Sequence, residues 1–471
     1  MTFLCLIIDK LACHGTITFA MTPIVRICSI DIENIKNVLG GTIPMPHRVA
    51  GFNPAEGEVL GLYGQNGTGK TAVVNALSLV QTLIRGKALP EDAAAWMTCG
   101  KTESRVSILF NVETELRCFD VQYTVTLARG DEGVYIRNEA LSAKPIEPKA
   151  RFSTIIEFNE ESVPASGVLA PQATLAKLQS HCSKQDILIN KVLANREGRS
   201  YIFNEWMLAC LLHLEGGHAE ILRAVHHFAA LHLYIVSTFK SSLVKGDLLP
   251  ITVTCGNGPE MMDTCLVFLN GPSSLPASSY HDFKGSLEQI NRVLCKIIPG
   301  LTLVVKEVGA ELETADAENV RFELLAIRGD SRIPLKYESD GIKKIIAILL
   351  LWITSSNTPG TCLVVDELDA SIFEYLLGEL LSVWKENARG QLIFTAHNLH
   401  PLEVLDKRSV VFTTIAPHHR FIRFKNIKPT NNLRDVYLRS IFIGGQEFEL
   451  YDETSKTDIA RAIRQCASPC K

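Results

Sequence analysis

Hydrophobic and polar positions alternate along the first third of the chain. In Ile27-Cys28-Ser29-Ile30-Asp31-Ile32-Glu33-Asn34-Ile35-Lys36 the apolar residues fall close to every second position, as in a strand with one buried face. Val106–Phe110 and Phe119–Leu127 repeat the pattern, and Val134-Tyr135-Ile136 resumes it after the turn Gly130-Asp131-Glu132-Gly133. These segments predict an antiparallel sheet. Val59-Leu60-Gly61-Leu62-Tyr63 is apolar without alternation, which predicts a strand buried on both faces. From about Gln172 to Lys245 the period lengthens: Leu188, Ile189, Val192 and Leu193, then Leu208, Leu211 and Leu212, then Ile221, Leu222, Val225, Phe228 and Leu231 fall at helical spacing. Residues 165–300 are therefore expected to form a mostly helical insertion. Strands return at Leu301–Val305 and Val320–Leu324, with a hairpin turn at Arg328-Gly329-Asp330-Ser331.

Two further apolar runs lie later. Thr361-Cys362-Leu363-Val364-Val365 ends in Asp366-Glu367, and Leu392-Ile393-Phe394-Thr395-Ala396 ends in His397. Between them Leu376, Leu377, Leu380, Leu381 and Trp384 describe a helix that closes at Gly390. Strand, helix and strand in this order predict an α/β fold. The expected division is 1–20 as an extension, 21–164 as a first lobe, 165–300 as the insertion and 301–471 as a second lobe.

Composition narrows the picture. A chain of 471 residues with 46% hydrophobic and 21% charged content is globular. A net charge of −4 argues against a protein that coats nucleic acid, though not against a local basic groove. The 13 cysteines contain no C-x-x-C pair and are expected to be reduced thiols of a cytoplasmic protein. The apolar patch Phe3–Ile8 lacks a basic flank and meets Asp9 and Lys10, so neither a signal peptide nor a membrane span is expected. Met1–Ala20 is expected to be a dispensable extension, with the domain starting near Met21. Five histidines, His213, His218, His226, His227 and His232, cluster without metal-ligand spacing and are expected to be packed or at the surface.

The chemistry is carried first by Gly64-Gln65-Asn66-Gly67-Thr68-Gly69-Lys70-Thr71, which fits G-x-x-x-x-G-K-[ST] at each fixed position. The buried strand before it and the helix after it supply the context the motif needs. Gly64, Gly67 and Gly69 let backbone N–H groups approach phosphate, with Asn66 and Thr68 in the same loop. The helix N-terminus adds partial positive charge. Lys70 is expected to reach the β- and γ-phosphates of ATP, and the Thr71 hydroxyl to ligate Mg²⁺. Asp366 at a strand's carboxyl end is expected to hold Mg²⁺ beside this loop. Glu367 is placed to deprotonate water attacking the γ-phosphate, and His397 to hydrogen-bond that phosphate.

These motifs resemble those of the ABC-type ATPase heads, a class that includes SMC proteins, RecF and the ATPase portion of OLD-family proteins. Asp366-Glu367, Thr395-Ala396-His397-Asn398 and Glu338-Ser339-Asp340-Gly341-Ile342-Lys343-Lys344 carry the likeness, and the opening segment Ile27–Lys36 is similar to the first strand of such heads. Asn432-Leu433-Arg434-Asp435-Val436-Tyr437-Leu438 resembles the tail of a bacterial phage-defence (abortive-infection) subgroup. The resemblance implies a P-loop NTPase with a mixed sheet, flanking helices and an antiparallel β lobe. It implies that Ser339 and Gly341 meet the γ-phosphate held by another copy, in a head-to-tail homo-dimer or higher homo-oligomer. A plain helix N-cap turn is the alternative for these two residues. The chain departs from the pattern at Glu338, where leucine is usual, and at Phe373, where the run Asp369-Ala370-Ser371-Ile372 closes without histidine. No long heptad segment is present, and the stretch after His397 is expected to hold no Toprim nuclease domain.

The function so predicted is an ATP-hydrolysing switch or sensor in anti-phage defence, paired with a separate nuclease or toxin effector. A DNA repair or recombination ATPase like RecF is the alternative, for which Lys343 and Lys344 are a weak pointer to DNA. A self-contained nuclease and a binding module without hydrolysis are further readings.

Overall fold

The computed structural model describes residues 23–467 except 48–55, 116, 132, 160–167, 170–171, 214–216, 238–246, 256–261, 315–316, 426–430 and 453. The expected extension Met1–Ala20 lies outside the described residues.

The alternating segments form the predicted strands: β1 (Ile24–Glu33), β2 (Gly41–Pro44) and, beyond the phosphate-loop strand β3 (Glu58–Tyr63) and helix α1 (Lys70–Ile84), β4 (Glu103–Glu113), β5 (Cys118–Gly130), β6 (Gly133–Pro145), β7 (Ser153–Asn159) and β8 (Val168–Leu169). All of these except β3 join one antiparallel sheet in the order β2-β1-β4-β5-β6-β7-β8. Helices α2 (Gln172–His181), α3 (Lys184–Arg196), α4 (Glu205–Leu211) and α5 (His218–His227) follow. Then come β9 (Leu233–Val236), β10 (Leu248–Thr254), β11 (Met262–Phe268), β12 (Ser273–Pro276) and helix α6 (Ala277–Ile297). The second half continues with β13 (Leu301–Thr314), β14 (Ala317–Arg328), β15 (Ser331–Pro334), α7 (Asp340–Asn357), β16 (Cys362–Val365), α8 (Glu374–Asn387) and β17 (Gln391–Ala396). It closes with β18 (Val410–Thr413), β19 (Phe421–Ile422), α9 (Leu433–Ile443) and α10 (Lys456–Ala467).

The central sheet has the order β19-β18-β3-β17-β16-β9, parallel except for β19. The fold is thus α/β of the expected P-loop type: a mixed sheet flanked by helices, with an antiparallel β lobe. The stretch 165–300 differs from a mostly helical insertion. Among the described residues it holds five α-helices, α2 to α6, but β9 is a strand of the central sheet beside β16, and β10–β11 form a hairpin. The reason is local. Leu233-Tyr234-Ile235-Val236 is a four-residue apolar run directly behind a helical pattern, too short to show its own period.

Strand periodicity explains the packing. Leu60 and Leu62, Cys362 and Val364, Ile393 and Val411 point into the core shared with the antiparallel sheet and α1. Their neighbours Val59 and Tyr63, Leu363 and Val365, Leu392 and Phe394, Val410 and Phe412 point into a second core with α7 and α8. The central sheet is a wall between two cores, which is why its strands lack a polar face.

Buried polar groups join the lobes. The Gln391 amide spans β1 and β17: its Nε2 donates to Ile27 O at 2.9 Å and to Glu58 Oε2 at 2.7 Å, and its Oε1 accepts from Ile27 N at 2.9 Å. His47 Nδ1 lies 2.7 Å from Glu58 Oε1. Burial raises the Glu58 carboxyl, but the bonds from His47 and Gln391 outweigh it and hold it below its ordinary value. Glu139, fully buried, accepts from Tyr123 Oη at 2.7 Å, Ser200 Oγ at 2.6 Å and Tyr201 N at 2.6 Å, which fastens the helical stretch to β6. Of the clustered histidines, His213 is exposed and stacks on His181 at 4.6 Å, and His232 is buried beside His227. Among the described residues no group of three or more His, Cys, Asp or Glu could hold a metal ion, and no helix is long and apolar enough to cross a membrane.

Candidate functional site

The phosphate loop sits at the carboxyl end of β3, with Gly69 as the N-cap of α1. Gly64 has φ +153°, and a Cβ there would lie 1.8 Å from Thr413 Oγ1 at the end of β18. Only glycine lets the loop approach that strand so closely. Asn66 and Gly67 are exposed, whereas Thr68 is buried. The Thr68 hydroxyl donates to Gln65 O at 2.7 Å and lies 2.5 Å from Thr413 Oγ1, so this side chain faces the protein. The Lys70 ammonium is buried on the loop's own carbonyls, donating to Gly64 O at 2.7 Å and Gln65 O at 3.0 Å.

The acids lie where the parallel strands end. Burial lowers Lys70 to about 8, against the pull of Asp366, Asp369 and Glu367. The same three acids act on Lys344, which burial also lowers to about 8, and on His397, lowered by burial and then by Lys70. Lys70, Asp366, Glu367, Asp369, Lys344 and His397 thus form one electrostatic cluster, although Lys70 and His397 are more than three hundred positions apart in the chain. Thr395 ties its centre: Thr395 Oγ1 donates to Asp366 Oδ1 at 2.6 Å and accepts from Glu367 N at 2.7 Å. The donor set of Asp366 and the Thr71 hydroxyl is hard oxygen, the chemistry Mg²⁺ takes.

Glu367 is held with φ +52°, a left-handed conformation unusual for a non-glycine residue. Such backbone persists where its surroundings fix it, and it concentrates at functional sites. Here the fixing groups are Thr395 and Lys344, whose ammonium donates to Glu367 O and, at 3.2 Å, to Ala370 O. Lys343 and Lys344 are therefore not a solvated basic face. Both are buried, and Lys343 lies 3.4 Å from Asp340 Oδ1. Asp369 Oδ2 accepts from His397 N at 2.7 Å and Asn398 N at 2.6 Å, which sets the turn after β17.

Ser339 is the N-cap of α7; its Oγ accepts from Ile342 N at 3.4 Å. Gly341 is packed so tightly that a Cβ would lie 2.0 Å from Ser371 O. Among the described residues no hydrogen bond joins Ser339 or Gly341 to residues 64–71. Glu338, buried where leucine is usual, is paired by both arms of Arg328 at 2.9 and 3.1 Å. Exposed aromatic rings, Tyr337, Phe373 and Tyr375, flank this helix end.

Sequence reasoning missed the supporting roles of Lys344, Thr395, Asp369 and Thr413. Asp369, Thr395 and Lys344 stood within quoted motifs and Thr413 did not, and nothing local signals that Lys344 or Thr413 turns toward the loops.

No protein-family model matches the sequence, and no curated protein does. Solved structures do. The chain is similar to the Smc head domain of Pyrococcus furiosus, with an extended coiled coil and bound to the C-terminal domain of ScpA: identity is 12%, coverage 85% of this chain and 96% of that one, TM-score 0.39. The SMC head domain of Thermotoga maritima matches at 12% identity, 85% and 99% coverage and TM-score 0.35. The recombination mediator protein RecF with ATP, of the RecFOR pathway, matches at 11% identity, 80% and 94% coverage and TM-score 0.34. At TM-scores of this size the likeness carries no functional weight.

Proposed function

We propose that the chain is an ATPase that binds ATP with Mg²⁺ and hydrolyses it to ADP and phosphate. The observation that supports this best is the single cluster of Lys70, Asp366, Glu367 and His397 at the ends of β3, β16 and β17. In this reading Gly64, Asn66, Gly67, Thr68 and Gly69 cradle the phosphates with backbone N–H groups. Lys70 moves from the Gly64 and Gln65 carbonyls to the β- and γ-phosphates. Thr71 and Asp366 would hold Mg²⁺, which supplies charge neutralisation across those phosphates. Glu367 accepts a proton from water as its oxygen bonds to the γ-phosphorus, and the bridging oxygen leaves on ADP. His397 donates to the γ-phosphate. The test is turnover by Glu367→Gln: a loss of about 10²-fold or more with ATP binding retained supports the assignment, and unchanged hydrolysis removes it.

The site is half of a whole in this proposal. Ser339 and Gly341 head a helix whose N-terminus donates to phosphate held by a second copy in a head-to-tail dimer. The exposed rings of Tyr337, Phe373 and Tyr375 around that end give the contact apolar area.

The finer role, a switch in anti-phage defence with a separate nuclease or toxin effector, rests on the resemblance of residues 432–438 alone. The RecF-like repair reading loses Lys343 and Lys344 as a basic face because both are turned inward. DNA-stimulated turnover with a steep salt dependence of binding would restore that reading.

A further inference from the structure

The C-terminal segment after α9 returns to the phosphate loop. Phe448 stacks on His419 with ring centroids 4.5 Å apart, Ile415 N donates to Glu449 O at 3.0 Å, and Leu450 is buried in the second core. The segment then meets the loop. Asp452 N donates to Gln65 Oε1 at 3.0 Å, and Gln65 Nε2 reaches Asp452 O at 3.4 Å. One side-chain amide thus pairs with both backbone groups of one residue, as a strand partner would. Gln65 is also the residue whose backbone carbonyl accepts from the Lys70 ammonium and from the Thr68 hydroxyl. Its side chain holds the strap, and its main chain belongs to the loop that is to wrap phosphate. The turn at the end of β18 supports both sides: Thr413 braces the loop, and Ile415 and His419 hold the strap.

We propose that Gln65 is a positioning residue that clamps the phosphate loop to the strap 448–452, so that nucleotide in the loop and order in the strap stabilise each other. The position needs an amide, because the pairing uses an acceptor and a donor on one flat group. A loop fixed on one side loses less freedom when phosphate binds. Linkage requires the converse: bound nucleotide stabilises the strap by the same factor. Helix α10 begins at Lys456, four positions beyond Asp452, and Lys456 to Cys466 are exposed except for the half-buried Ala460.

This proposal rests on the reading of Gly64–Thr71 as a nucleotide site, and the test separates the two. Equilibrium binding of a non-hydrolysable ATP analogue with Mg²⁺ is measured beside amide hydrogen exchange of the full chain. In the wild type the analogue is expected to slow exchange across 449–452 by about threefold to tenfold, the worth of one or two such bonds. Gln65→Ala is expected to keep its melting temperature close to that of the wild type, to bind the analogue about threefold to tenfold more weakly, and to show no analogue-dependent protection of the strap at saturation. Gln65→Glu, which keeps the acceptor but not the donor, is expected to fall between them. Saturable binding without strap protection in the wild type, or equal protection in Gln65→Ala, overturns the clamp alone. Absence of analogue binding in the wild type overturns the nucleotide reading and the clamp together.

Discussion

The carboxylate of Asp369 accepts two consecutive backbone N–H groups, from His397 at 2.7 Å and Asn398 at 2.6 Å. The loop after β16 is thereby locked to the loop after β17. Bonds to a charged acceptor are each worth about 1.5–3 kcal/mol. Asp369→Ala is expected to leave ATP affinity within about threefold and to lower the rate of hydrolysis by about tenfold or more, because the His397 ring loses its orientation. Hydrolysis and binding assays on the variant check this, and an unchanged rate contradicts it.

Lys344 acts on Glu367 from the other side. Its ammonium bonds the carbonyls of Glu367 and Ala370, and Glu367 keeps its left-handed backbone in that grip. Lys344→Met, close in length but without donors, is expected to relax Glu367 and to reduce hydrolysis by about tenfold or more, with nucleotide affinity little changed. Binding and turnover measured side by side distinguish this from loss of a basic surface, which would leave turnover in the absence of DNA intact.

Burial sets a pH dependence. Lys70 is lowered from its ordinary 10.5 to about 8, so the free protein loses this charge as pH rises through about 8. A bound triphosphate favours the charged form and raises the group again. ATP affinity is therefore expected to be flat below about pH 8 and to fall above it, by at most about tenfold per pH unit. The unfolded chain keeps its lysine protonated up to its ordinary value, so the stability contribution of this group moves the opposite way and rises between about 8 and 10.5. Equilibrium binding from pH 6 to 10 is the check. A profile that rises above pH 8 contradicts the placement of Lys70 on phosphate.

Gly341 is expected to tolerate no side chain. A Cβ would meet Ser371 O at 2.0 Å, a backbone atom that can move only with its loop. Gly341→Ala is expected to lower stability by about 1–3 kcal/mol through overpacking, and to displace the loop that carries Asp369 and so reduce hydrolysis. A thermal melt and a turnover assay together read both effects.

The fold was legible where its determinants are local. Gly64–Thr71 carries its glycines, lysine and helix start within eight positions, and Asp366 and His397 each end an apolar run that reads as a buried strand. The missed features depend on distant partners. Lys344 looks like half of a solvated pair until its acceptors, 23 and 26 positions downstream, are placed beside it. Gln391 reads as an ordinary polar residue at a strand start, yet it splices β1 to β17 across 364 positions. β9 was hidden because its four residues follow a helix whose apolar rhythm runs into them.

In the proposed head-to-tail dimer, Lys70 of one copy and Ser339 of another line the same hydrolytic site. ATP hydrolysis by a mixture of two inactive variants, Lys70→Ala and Ser339→Arg, reads this out. A head-to-tail dimer of the two contains one site with both defects and one site with neither, so turnover is expected to appear on mixing and to saturate with the ratio of the chains. A mixture that stays silent while the wild type hydrolyses ATP would contradict a site shared between copies.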